Sequence, residues 1–171
     1  MLVKIITVML KNTYTTDDLV ERIALMRKYY AQHLFSGGEH LTLANVVQAE
    51  CEAATFAALE EWQQAFKKEA ISPLVVYEAL DAIEEDLAGV PAVTLYVPIK
   101  FSPEHVERFG KWFRDNVQPN ILLTLRTDPR AAGGCAFIWK STYYDHSLRY
   151  FIQQNRAAIV KTFNKYTHAT T

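Results

Sequence analysis

The sequence predicts an α+β fold in two parts: a helical bundle over residues 1–90, then a small β-α-β-β-α domain over 91–171 that ends in a long helix. Three observations carry this. Apolar residues recur at three- and four-residue spacing through the first half, the period of amphipathic helices. After Gly89-Val90-Pro91 the apolar runs shorten to stretches such as residues 93–97 and 121–127, whose composition suits strands. The charge also changes sign: residues 1–98 hold seven Lys/Arg against fourteen Asp/Glu, and residues 99–171 hold eleven against five. A chain of 171 residues, half of it apolar and 22% charged, has room for one ordinary globular domain or two small ones.

Residues 1–10 open the chain with an apolar run whose length leaves helix and strand both open. The next segment starts at Thr15 or Thr16, either of which suits an N-cap, with Asp17, Asp18 and Glu21 at the positive end of the helix dipole. Leu19, Ile23, Met26, Tyr30 and Leu34 form its stripe, and Gly37-Gly38 stops it. One helix is predicted from about Thr42 to Lys68, where alanines favour the helical state and leave a surface small enough for another helix to approach. Ser72 caps the next helix with Pro73 in its first turn, and Val76, Leu80, Ile83 and Leu87 face inward.

In the second half, strand 93–97 leads to a helix begun by Ser102-Pro103, with Val106, Phe109 and Phe113 on one face. Strands 121–127 and 135–140 follow. Asp128-Pro129 fits the first two positions of a type I turn. Gly133-Gly134 allows positive φ or a bulge where the chain re-enters the sheet. Residues 140–143 read as a connection, and Asp145 as the cap of a last helix. Its stripe is Leu148, Phe151, Ile152, Asn155, Ile159 and Phe163.

The chemistry of residues 127–147 is constrained by spacing. A Walker loop needs glycine directly before Lys-Ser, and Trp139 stands there before Lys140-Ser141. Asp145, His146 and Ser147 are sequence neighbours, whereas a triad converges from separate elements. The five histidines have no metal-ligand spacing. No catalytic, cofactor-binding or metal-ligating residue is predicted. Cys51 and Cys135 read as buried small hydrophobes in a reducing compartment. No run is long enough to span a membrane, no cleavable leader is read, and the default location is cytosolic. Nucleic-acid binding would need a more basic domain with an aromatic platform.

This arrangement resembles the C-terminal region of the δ subunit of F-type ATP synthases, the oligomycin-sensitivity-conferring protein family. The residues that carry the likeness span about 93–163: strand 93–97, Ser102, strand 121–127, Asp128-Pro129, Gly133-Gly134, strand 135–140, Asp145, Ser147 and Leu148. The family usually has glycine where this chain has His146, and the first half is similar only in layout. The resemblance implies a non-catalytic peripheral-stalk subunit, without cofactor, on the cytoplasmic side of an energy-transducing membrane. Its expected partners are N-terminal segments of the α subunits for the helical half and stalk b subunits for the C-terminal half. Residues Val3, Ile6, Leu10, Ala54 and Ala58 are the expected border of a groove for the α segment. The competing classes are a small enzyme or ligand-binding domain with a site assembled from distant residues, and a nucleic-acid adaptor.

Overall fold

The computed structural model describes residues 2–35, 41–85 and 89–167, with side chains between 4 and 165. The protein is α+β, with helices in its N-terminal region and a four-stranded sheet in its C-terminal part. Two compact units form, Met1–Pro91 with Val106–Leu122, and Ala92–His105 with Leu123–Thr171. The chain therefore changes unit at Pro91 but returns once: most of helix α6 belongs to the first unit, where the sequence assigned it to the second.

The first unit is built from α1 (Leu2–Lys11), α2 (Thr16–Phe35), α3 (Leu43–Val47), α4 (Ala53–Lys68), α5 (Pro73–Glu85) and most of α6 (Pro103–Asn116). The opening run is thus a helix, and Ile5 and Met9 bury one turn apart on its inner face. Thr15 caps α2, its hydroxyl accepting from Asp18 N at 3.0 Å. The α2 stripe buries Leu19, Ile23, Met26 and Tyr30, while Leu34 is half-buried. Burial pushes the Tyr30 hydroxyl well above the ordinary tyrosine range. Ser72 caps α5, accepting from Val75 N, and Val76, Leu80 and Ile83 are buried beneath it. Each such side chain contributes about 1.5–3 kcal/mol relative to an exposed position. Gly37, Gly38 and Leu87 lie outside the described residues.

The single helix expected over 42–68 is two helices. Leu43 and Val47 face the core on α3, and Leu59, Trp62 and Phe66 do so on α4. At about 100° per residue, one continuous helix would aim those two sets nearly a third of a turn apart. The turn at 48–52 brings them to the same core. The Glu50 N–H and the Cys51 thiol both bond to the Val47 carbonyl there, at 3.0 and 3.3 Å.

The second unit holds the sheet, in the order β2-β1-β3-β4. Its strands are β1 (Ala92–Val97), β2 (Leu122–Thr127), β3 (Gly134–Trp139) and β4 (Thr142–Ser147). Leu122 N bonds to Pro91 O and Asp128 N to Val97 O, so β1 and β2 run parallel. β1–β3 and β3–β4 are antiparallel. Register sets Tyr96, Ala136 and Asp145 in one row. Phe137, one residue on, stacks with Tyr144 and His146 on the other face.

β4 replaces the predicted connection. Its hairpin turn is Lys140-Ser141, both with positive φ, 48° and 63°. That is the backbone of a primed two-residue turn, usually announced by Asn-Gly or Asp-Gly. Neither residue carries that signal, so the strand was hidden. The predicted last helix is also divided, into α7 (Leu148–Gln154) and α8 (Arg156–Thr167). Asn155 closes α7 by returning its N–H and its side-chain amide to the Phe151 carbonyl, at 3.1 and 2.9 Å. Of the stripe expected to face a core, only Ile159 is even half-buried. The stripe on α6 differs as well: Gly110 is its buried residue, Val106 and Phe113 are half-buried, and Phe109 is exposed.

Candidate functional site

The residues singled out between 128 and 147 meet where the hairpin passes into α7. Gly134 begins β3 with φ +71°, and a Cβ there would stand 2.3 Å from the His146 carbonyl oxygen. Only a residue without a side chain fits this approach in the left-handed region. Opposite it, Ser147 caps α7, its hydroxyl accepting from Tyr150 N at 3.1 Å. The cap is therefore Ser147, and Asp145 supports it, accepting from Ser147 N at 2.9 Å. A strand reaching to Ser147 leaves Asp145 too early to cap the helix itself. Leu148 N then bonds to the Gly133 carbonyl at 2.9 Å, fastening helix to hairpin.

Asp128-Pro129 opens a 3-10 turn over Pro129–Ala131, with the Asp128 carboxylate accepting from Arg130 N at 3.0 Å. The same carboxylate holds the Arg130 guanidinium at 2.9 and 3.2 Å. That side chain first, and its backbone N–H second, keep the Asp128 carboxyl below the usual carboxylate range. Ser147 does the same for Asp145. Both carboxylates are thus occupied in building turns.

These turns border a polar hollow of about 390 Å³. Ala136 is small, so the row Tyr96–Ala136–Asp145 sinks at its centre. Tyr143 and Arg130 also line it, with Arg149, Tyr150 and Gln153 of α7. Tyr96, Arg130, Tyr143, Arg149, Tyr150 and Gln153 were not foreseen as a group. Alternation along β4 puts Tyr143, Asp145 and Ser147 on one face, a signal usable only once β4 is recognised as a strand.

A second cavity, of about 300 Å³, lies in the helical unit and is apolar. Ile6, Met9 and Leu10 of α1 line it, with Leu19, Ile83, Val90, Pro91 and Pro119. Of the expected groove, Ile6 and Leu10 are on this cavity. Ala54 is exposed and Ala58 buried on α4, and neither lines it. The Val3 side chain lies outside the described residues.

The remaining reactive residues sit apart. Lys140 occupies the hairpin turn with its ammonium 5.5 Å from the Trp139 ring centre. A Walker lysine would open a helix instead. His105 bonds to its helix cap, Ser102, and His146 stacks on Phe137. His40 and His168 lie outside the described residues. Cys51 and Cys135 are free thiols, half-buried rather than buried as expected, and burial pushes the Cys51 thiol up. Among the described residues no group of three or more His, Cys, Asp or Glu is placed to hold a metal.

The fold and these sites define a class: an α+β protein with an apolar cavity in its helical unit and a polar hollow beside a capped hairpin-to-helix junction. No protein-family model matches the chain, and no curated protein does.

Proposed function

We propose that the chain is a non-catalytic peripheral-stalk subunit of an F-type ATP synthase, linking the catalytic head to the stalk. The observation that supports this reading most is the junction at Gly134, Asp145 and Ser147. Residues that carry the likeness to the δ family are engaged in one piece of architecture, a hairpin fastened to a helix. In this reading the carboxylates hold backbone rather than substrate. The helical unit supplies a seat for a partner segment: an apolar cavity between helices accepts apolar anchors at helical spacing. Ile6 and Leu10 would meet an N-terminal segment of an α subunit there, and the second unit would meet the stalk b subunits. Among the described residues no helix is long and apolar enough to cross a membrane, which accords with attachment to a cytoplasmic membrane face through the complex.

The test is recovery of a tagged full chain from detergent-extracted membranes of its source cells, with identification of the chains that come with it. Recovery of α and b subunits in defined ratio is the expected result. Their absence under conditions that keep the synthase whole would overturn the proposal.

A second reading has one observation in its favour. The polar hollow of about 390 Å³ gathers guanidinium, carboxylate, phenol and amide groups, as a small-ligand site does. A ligand that raises the melting temperature in wild type, but not in Arg149→Ala, would favour it.

A further inference from the structure

The polar hollow of the second unit holds charges of both signs, and the chain does not answer all of them. Asp128 and Arg130 answer each other, the carboxylate holding the guanidinium at 2.9 and 3.2 Å. One cation and one anion then remain in the lining, Arg149 and Asp145. Arg149 is exposed and forms no ion pair among the described residues. Its charge is felt at Asp128, where Arg130 already holds the carboxylate.

Asp145 is half-buried, and its bonds to the chain stop short of its capacity. Ser147 bonds to it through its hydroxyl and through its N–H, the latter at 2.9 Å, and the Tyr143 hydroxyl adds a long contact of 3.4 Å. An ionised carboxylate offers about four acceptor sites. The bonds from Ser147 keep this carboxyl ionised at neutral pH, and room is left for one more donor.

A ligand of a single sign fits such a lining poorly. An anion on Arg149 would share the cavity with the negative Asp145, and a cation on Asp145 would share it with Arg149. A molecule that carries both signs answers both groups and brings no net charge. The guanidinium is a planar fork that matches a carboxylate. Gln153 also lines the hollow, and four residues beyond Arg149 on α7 its amide neighbours the guanidinium on one helix face. An ammonium suits the open position on Asp145. The rings of Tyr96, Tyr143 and Tyr150 line the same space and favour an aromatic body. Ala136, between Tyr96 and Asp145 in the sheet row, leaves room for it. The volume of about 390 Å³ falls within the roughly 300–1,000 Å³ of small-molecule sites.

We infer that the hollow binds a small aromatic zwitterion of the amino-acid class, with its carboxylate on Arg149 and Gln153 and its ammonium on Asp145. This gives the small-ligand reading of the hollow its ligand chemistry and rests on that reading. It does not depend on the stalk assignment.

The experiment is calorimetric titration of the full chain with L-phenylalanine, 3-phenylpropanoate and 2-phenylethylammonium. The last two keep the aryl body, and each lacks one charged end. L-Phenylalanine should bind at least about tenfold more tightly than either. In Arg149→Gln, at an exposed position, it should lose its advantage over 2-phenylethylammonium with the far-UV spectrum unchanged. Equal binding of phenylalanine and 3-phenylpropanoate would overturn the inference and leave an anion site. Equal binding of phenylalanine and 2-phenylethylammonium to the wild type would overturn it and leave a cation site. Phenylalanine bound equally by wild type and Arg149→Gln would place the amino acid elsewhere and overturn it too. So would the absence of phenylalanine binding at millimolar concentration. The small-ligand reading beneath it falls only if Arg149→Ala also leaves every ligand-induced rise in melting temperature unchanged.

Discussion

The guanidinium of Arg114 lies 4.6 Å from the centre of the Tyr14 ring and donates through Nη1 to the Leu10 carbonyl at 2.7 Å. It also bonds to the carbonyls of Thr13 and Ile121. One side chain from α6 thereby closes the turn between α1 and α2, where the Leu10 carbonyl also accepts from the Thr13 N–H at 3.4 Å. Gly110, one turn earlier, lets α6 come this close: a Cβ there would stand 2.4 Å from the Tyr14 ring. From the other side Arg22, itself buried, donates to the Asn12 carbonyl at 2.7 Å.

Arg114→Lys is therefore expected to behave almost as badly as Arg114→Ala. A lysine ammonium cannot span several carbonyls as a planar fork does. Each variant should lose about 3 kcal/mol in urea unfolding. Recovery of wild-type stability by lysine would show that charge alone is enough.

Gly134→Ala combines a left-handed backbone with a Cβ set against the His146 carbonyl. A loss of about 3 kcal/mol is expected, from backbone strain and overpacking together. Amide exchange should rise first around β3, β4 and the start of α7. A fully protected hairpin in the variant would contradict the close approach.

Ser141→Gly should act in the opposite direction. Ser141 sits at φ 63° in the hairpin turn, a conformation that glycine adopts without the Cβ penalty. About 1 kcal/mol of added stability is expected, read as a rise in Tm of roughly 2–4 °C for a chain of this size. A fall in Tm would mean that the serine side chain contributes something this turn geometry does not account for.

Acid should loosen the hairpin-to-helix junction. Hydrogen bonds from Ser147 hold the Asp145 carboxyl below its ordinary range, so its folded-state pKa is lower than its unfolded one. Such a group stabilises fully above the unfolded value, near pH 4 for an aspartate, and the contribution disappears as pH falls through the folded value. Asp128 acts with the same sign. Asp145→Asn should flatten the dependence of stability on pH below about 4. A variant with the wild-type slope would exclude Asp145 as its source.

Ile6→Ala tests the apolar cavity. Ile6 is half-buried on its wall, so removing it should weaken binding of an α-subunit N-terminal peptide to the full chain about tenfold. Unchanged affinity, with the helical spectrum intact, would move the peptide site elsewhere.

Much of the fold was legible because local chemistry and burial agreed. Thr15 and Ser72 are capping residues at helix starts, Ser102 stands where α6 begins, and the stripes on α2 and α5 match their buried faces. Asp128-Pro129 announced its turn because the carboxylate accepts from Arg130 N, and Gly134 because its positive φ suits a residue without a side chain. In the candidate sites, Gly134, Asp145 and Ser147 were identified, but the cap passed from Asp145 to Ser147 once β4 was seen. Of the residues expected to border one groove, Ile6 and Leu10 line the apolar cavity, while Ala54 and Ala58 do not.

By itself the sequence determined the α+β class, the change at Pro91, and the residues able to turn the chain around the hairpin. Tertiary structure decided the rest. The break at 48–52 exists because two apolar sets nearly a third of a turn apart must reach one core. β4 exists because pairing with β3 holds Lys140-Ser141 in a turn their own preferences do not favour. A periodic stripe shows which side of a helix is apolar, and does not show what covers it. On α2 that side meets other helices of its own chain; on α7 it stays open, because no element among the described residues packs over it.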